Sequence, residues 1–462
     1  MSEQGKRKGK WHRSLRIMAV VLALMIVVQA LSPVAFQAIT ALAENDKLNQ
    51  IYGALSDSVG EPETVQDYSD LANIEIGRRN YDKALEYLEA ARGLCSEESD
   101  QALLGELWLR SASVLVVTGK IDEARTALDQ ALRFNPESAD ALLIRAQLAM
   151  EEKNYTAAAA DLQSYLKLNP TEANALLTLA QLTETIADYA GAEEAYRKLY
   201  QLQPEDDSHL LNAERCVFLD GRYEESAKGF GEYIEAHKAD EENSFLGIAN
   251  FLRAASQMQL GKYAEAVEGY RAAIAAGYDE IVCQEQIVAC SFELNDHEAV
   301  AAAGDRVAEL NGALTAPDAF YQKYGAALLQ LERFEDALAA LDKSAAANPA
   351  LVGNNYYRGV TLLSLGRYDE AVEAFTKSID ENFLVQYCYY NRGVCHVQTL
   401  NYDSAVDDMV MVLSSGSEQT LIEAAQDVLW QLVAYYEQQA ATQTDISGTA
   451  QGEMPSDPVT TP

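Results

Sequence analysis

The residues of this chain that could do chemistry are six cysteines, five histidines and 71 carboxylates among 462 residues. Cys95, Cys216, Cys283, Cys290, Cys388 and Cys395 could hold a metal or form disulfides. Their spacing opposes both. Cys283/Cys290 and Cys388/Cys395 stand seven apart, about 10 Å along one helix, which is too far to bridge. No C-x-x-C exists, and the histidines make no zinc-type spacing with the cysteines. Small buried apolar residues are the expected role. The carboxylates form many pairs at helical spacing, which in so acidic a chain reads as a solvated face. No G-x-x-x-x-G-K-[ST], G-x-S-x-G or H-E-x-x-H is present, nor G-x-G-x-x-G after a strand. The expectation is therefore no catalytic, cofactor or metal residues, no small-molecule substrate, and no enzyme. The sequon Asn154-Tyr155-Thr156 would matter only in a eukaryotic secretory pathway.

The elements that carry these residues are helical by composition. Ala and Leu are abundant, Pro numbers only 10, and period-two alternation is nearly absent. The formal charge of −36 repels phosphate backbones, so nucleic acid is excluded as a partner. It keeps the protein soluble, or else attracts basic peptides or cations. The first 43 residues break the pattern. A basic stretch from Lys6 to Arg16 leads into the apolar run Ile17–Val28, and Ala41-Leu42-Ala43 follows before the first acids. That order is a secretory signal cleaved after Ala43, or, since Ile17–Phe36 is long enough, a retained membrane anchor. Either way the basic flank stays inside, and everything after about residue 44 faces out. No Cys follows the run until Cys95, which opposes a lipoprotein.

A short phrase recurs along the chain: an aromatic, two residues, then Ala. It reads NYDKA at 80–84, KIDEA at 120–124, NYTAA at 154–158, DYAGA at 188–192 and KYAEA at 262–266. It returns as RFEDA at 333–337, RYDEA at 367–371 and NYDSA at 401–405, with weaker copies at 222–227 and 296–300. The lead residues are separated by 34 residues in six of nine steps, and His297 leads one of the weaker copies. Twelve residues before the Ala stands a small residue, as at Ala72, Ala112, Ala146, Ala180, Ala254, Gly325, Gly359 and Gly393. Four after it stands a large one, from Leu88 to Met409. Small residues in both columns let two helices cross closely. Pro136, Pro170, Pro204 and Pro349 close second helices. Cys216, Cys290 and Cys395 share a column with Ile74, Val114 and Leu148, which marks it as packing.

This pattern resembles the tetratricopeptide-repeat (TPR) family, of a bacterial extracytoplasmic type, over about residues 65–417. The resemblance implies an all-α, right-handed α-solenoid of about ten helix–turn–helix units. Residues 1–43 read as signal or anchor, 44–64 as linker and N-terminal helix, 65–280 as a first block, and 318–418 as a second. The stripe Leu421, Ala425, Val428, Leu432 makes 419–441 a capping helix, and 442–462 reads as a disordered tail. Between the blocks, 281–317 departs from the pattern. Val288 and Val300 replace small residues, Gly304 replaces a large one, and the connection around Asn311–Pro317 carries three extra residues. A void at Gly304 and a hinge are expected there.

In this family the first helices line the concave side, and the resemblance implies that ligands lie there. Candidate groove residues are Leu109, Leu143, Gln147, Leu177, Gln181, Leu211, Arg215, Phe251, Met258, Phe292, Tyr356, Tyr387, Tyr390 and Asn391. The N-terminal half reads as a leucine ridge beside an amide row. The C-terminal half reads as apolar with tyrosine rims. The opposing possibility is that superhelical winding buries these columns. Asn391 matches one asparagine of the family's chaperone-carboxylate clamp, but Tyr356 and Val360 stand where the clamp needs Lys and Asn. The expected function is an extracytoplasmic scaffold or adaptor for protein or peptide partners. The alternative is an accessory factor for envelope or polysaccharide assembly or secretion, which the tyrosines partly fit.

Overall fold

The computed structural model describes residues 46–240, 243–415 and 418–444. The N-terminal signal or anchor segment and the tail beyond 444 lie outside the described residues. Helices are the regular elements among them, and they fall into two compact units that divide between Arg222 and Tyr223. The first unit holds α1 (Asp46–Val59), α2 (Val65–Gly77), α3 (Tyr81–Gly93), α4 (Gln101–Val117), α5 (Ile121–Phe134), α6 (Ala139–Glu151), α7 (Tyr155–Leu168), α8 (Ala173–Thr185), α9 (Tyr189–Leu202) and α10 (Asp207–Leu219). The second holds α11 (Tyr223–His237), α12 (Leu246–Gln259), α13 (Tyr263–Ala275), α14 (Glu280–Glu293), α15 (His297–Leu310), α16 (Pro317–Gln330), α17 (Phe334–Ala347), α18 (Asn354–Ser364), α19 (Tyr368–Asp380), α20 (Val385–Gln398), α21 (Tyr402–Ser415) and α22 (Gln419–Thr444). Within each unit every helix packs on the next, the pattern of an α-solenoid.

Each recurring phrase begins a second helix, and the residue two before its lead aromatic makes the turn. All ten such positions have positive φ, from 55° at Asn295 to 79° at Gly221. Four are glycine. Arg79, Lys153, Ala187, Glu332 and Leu400 accept the left-handed conformation despite their Cβ, at about 1 kcal/mol each. After the turn, Asn154, Asp188 and Asp296 cap their helices by accepting backbone N–H donors three residues on. Thr64 and Asp67 form a reciprocal capping box at the start of α2, and those hydrogen bonds hold the Asp67 carboxyl below its ordinary range.

The small column of the second helices is the crossing point. Ala84, Ala124, Ala158, Ala192, Ser226, Ala266, Val300, Ala337, Ala371 and Ala405 are all 0% exposed. Opposite them, a Cβ on Gly325, Gly359 or Gly393 would strike Leu341, Phe375 or Met409 of the second helix in the same pair. Five of the six cysteines are buried here and all are free thiols. Burial pushes Cys216, Cys283 and Cys395 up to about 12 and Cys290 and Cys388 up to about 11, so they pack and do not react.

The seventh pair corrects one expectation. Gly304 leaves no void, because the ring of Tyr324 from α16 lies on it: a Cβ there would strike Tyr324 Cδ2. The Tyr324 hydroxyl donates to Asp305, which also accepts two bonds from Arg333, at 2.9 and 3.1 Å. The long connection is tied down as well. The buried Glu285 carboxylate accepts the N–H groups of Thr315 and Ala316 and the Thr315 hydroxyl. The two compact units divide at Arg222/Tyr223. The sign of one substitution tests this packing. A void would make Gly304→Ala stabilising, through helix propensity. Tyr324 in that space makes it destabilising by about 1–3 kcal/mol, as read by urea unfolding.

At the N-terminal end, α1 packs on α2 through Tyr52, whose ring covers Gly77. At the other end α22 runs to Thr444, three residues beyond the expected capping helix. Among the described residues, no helix is long and apolar enough to cross a membrane.

Candidate binding surface

First helices approach one another in successive pairs: α4 nears α6 in the first unit, and α14, α16, α18 and α20 follow one another in the second. No two second helices make a comparable approach among the described residues. The closer-spaced layer is the inside of a curve, so first helices form the concave face of each unit. The spacing follows from side-chain size. Where the column four residues after the leucines holds Ala289, Ala326, Val360 and Val394, neighbouring first helices close up. Ala326 and Val394 are then 3% and 6% exposed. Where that column holds Ser113, Gln147 and Arg215 it is half-buried, as it is at Ala289 and Val360, and at Gln181 it is exposed.

The first unit therefore carries the accessible surface. Leu109, Leu143 and Leu177, one from each of α4, α6 and α8, are half-buried, with one side on the core and the other on the concave face. One turn on, Gln147 is half-buried and Gln181 is exposed. Leu211 has left this row and is core, at 7% exposure. Arg215 is half-buried and its charge is answered within the protein. It lies 2.9 Å from Glu184 and donates to Asn212 at 3.2 Å. Glu184 also takes the Tyr196 hydroxyl, whose pKa burial pushes up to about 12.

The second unit uses its candidates internally. Phe251 stacks on Tyr278 at 4.6 Å, and the Met258 sulfur accepts the Tyr270 hydroxyl. The Phe292 face is covered by the Lys323 ammonium at 5.2 Å. Tyr356 meets Tyr357, Phe375 and Phe383 edge-on within 6.4 Å, and burial pushes its phenol up to about 12. Tyr387 donates to Glu418. Tyr390 is 2% exposed and belongs to the core shared by α20, α21 and α22, so it leaves the expected rim, while Tyr356 and Tyr387 are half-buried. Asn391 is 8% exposed, out of reach of a carboxylate ligand. The signal for this closure stood in the sequence: the column beside the tyrosines turns from amides to Ala and Val.

A family profile described as tetratricopeptide repeat matches residues 109–173 and 325–383, one stretch in each unit. Together with ten fully buried crossing residues in register, that match identifies the repeat. The chain carries tetratricopeptide repeats in both units. Solved structures similar to it include a tetratricopeptide repeat protein from Parabacteroides merdae, 19% identical over 65% of this chain and 98% of that one, with a TM-score of 0.29. The TPR domain of P58(IPK) is 16% identical over 80% and 99%, at 0.26. The Cut9–Hcn1 hetero-tetramer of the APC/C is 15% identical over 84% and 81%, at 0.32. None of the curated proteins compared matches the chain. TPR folds are scaffolds for contact between proteins and not typically catalytic.

Proposed function

We propose that this TPR protein is an extracytoplasmic scaffold that takes a polypeptide segment of a partner along the concave face of its first unit. The observation that carries the reading is the pairing of a half-buried leucine with a polar side chain at the same interval in three successive pairs: Leu109 with Ser113, Leu143 with Gln147, Leu177 with Gln181. Leucines supply apolar anchors, and side-chain amides offer both donor and acceptor to a peptide backbone. The basic flank and apolar run before residue 44 support the location. The polysaccharide alternative drew on exposed aromatics around Tyr356–Tyr390, and those rings are committed to intramolecular contacts.

A photo-crosslinking residue at Gln147 or Gln181 should capture the partner, whereas one at Lys198, exposed on the second helix α9, should not. Replacing both glutamines by alanine should weaken binding by about 0.5–1.5 kcal/mol each with helicity unchanged. A reporter fused after residue 440 should be active only outside the cytoplasmic membrane. Equal capture from Lys198 overturns the binding face, and a reporter active only in the cytoplasm overturns the location.

A further inference from the structure

Among the described residues, no second helix follows and packs on the first helix α22. α22 packs on α21 and reaches α20, as α16, α18 and α20 each do with the pair before them. Leu421, Ala425, Val428 and Leu432 face that pair and are buried. Tyr436 donates to Asp403 at 2.6 Å and the Tyr435 ring packs at a tilt on Tyr402, which fixes the rotation of the helix about its axis.

That rotation turns the other face outward. Counting in steps of 34, Gly325, Gly359 and Gly393 lead to Asp427, and the glycine column is the one that meets the second helix of its own pair. Leu328, Leu362 and His396 lead likewise to Trp430. Leu328 and Leu362 are 0% and 2% exposed, and the His396 side chain 15%. Trp430 is 70% exposed and Val433 43%. Trp430, Val433 and Ala434 share one helix face, and a large aromatic thus stands bare in a column that is core in the preceding pairs.

Charge selects what covers it. From Asn401 to Pro462 the sequence has ten carboxylates and no lysine, arginine or histidine. Glu423, Asp427 and Glu437 border the bare face, all exposed. A second copy would bring the same acids against themselves. The segment after Thr444 carries Asp445, Glu453 and Asp457 with no basic residue, and is repelled in the same way. A helix with one apolar stripe and lysine or arginine on its flanks meets Trp430 with its stripe and the carboxylates with its charges.

We propose that the outer face of α22 docks a basic amphipathic helix of a partner protein, which stands where the second helix of an eleventh pair would stand. The test uses the full chain and a labelled peptide of about 14 residues, the length of α21, built from Leu, Ala and Lys with Leu on one face. A second peptide carries Glu in place of Lys. Anisotropy titration should show the lysine peptide binding and the glutamate peptide not. Trp430→Ala and, separately, Glu423→Lys with Asp427→Lys should each weaken binding at least about tenfold. Leu143→Asp with Leu177→Asp should leave it unchanged, which separates this face from the groove. The proposal is overturned if the lysine peptide fails to bind, or binds Trp430→Ala as well as the parent. It is overturned equally if the groove variant abolishes binding, if removal of residues 445–462 tightens it tenfold, or if sedimentation shows self-association that Trp430→Ala removes.

Discussion

Tyr390→Ala is expected to cost about 3–5 kcal/mol of stability, the range for removing a large aromatic from a core. Tyr390 is 2% exposed and ranks among the largest fully buried side chains. It sits in one cluster with Val394, Met409, Val412, Leu421 and Val428, so its loss loosens α20, α21 and α22 together. Burial also pushes its phenol up, as expected for a hydroxyl away from water. In a solenoid whose repeats contact only their neighbours, the damage should stay local. Hydrogen exchange should therefore accelerate in α20–α22 while α4–α8 keep their protection, and urea unfolding should gain an early transition. Leu143→Ala, at a half-buried position, should cost less stability and instead weaken partner binding. If Tyr390→Ala cost under about 1 kcal/mol and abolished partner binding, the tyrosine would be a surface residue after all.

The contrast between Tyr390 and Leu143 shows how far the sequence could be read. The register was legible because close helix crossing admits only small side chains, and that constraint repeats every 34 residues. Helix ends were legible where Pro136, Pro170, Pro204 and Pro349 follow them by two residues. Exposure within a first helix was not. Tyr356, Tyr387 and Tyr390 have the residue type of a ligand rim, but whether the rim opens depends on how closely the next first helix approaches. The neighbouring column varies in the same way, with Gln181 exposed and Ala326 and Val394 buried. Gly304 was misread for a similar reason. The large residue its column calls for is supplied from outside the pair, by Tyr324 of the next first helix, whose ring fills the space beside Gly304. The left-handed turns escaped because only four of ten use glycine, so composition gave no common signal.

The second large effect is expected at Arg392. Its guanidinium donates to both carboxylate oxygens of Asp408, at 3.0 and 2.7 Å, and to the Thr376 hydroxyl at 2.9 Å. The Asp408 side chain is 5% exposed and that of Arg392 19%. Taking two charges out of water is costly, and their attraction roughly offsets that cost. The pair therefore adds little against an apolar pair of the same volume, but removing one member strands the other. Arg392→Ala should destabilise by about 3–5 kcal/mol, whereas Arg392→Leu with Asp408→Leu should recover most of the loss. His396, 3.8 Å from Asp408, adds a pH signature. Burial holds the ring below its ordinary value, with Arg392 contributing in the same direction. A histidine whose folded value is depressed gives stability that is full above the unfolded value, about 6.5, and is lost as the pH falls through the folded value. In Arg392→Ala that repulsion is gone and the stranded carboxylate draws a proton onto His396. The gap between the variant and the parent should then narrow below about pH 6 and widen toward pH 8. Urea unfolding of both proteins at the two pH values measures this directly. A gap that is the same at both, or a double variant no more stable than Arg392→Ala, would show that Arg392 acts through packing of its stem and not as the partner of a buried charge.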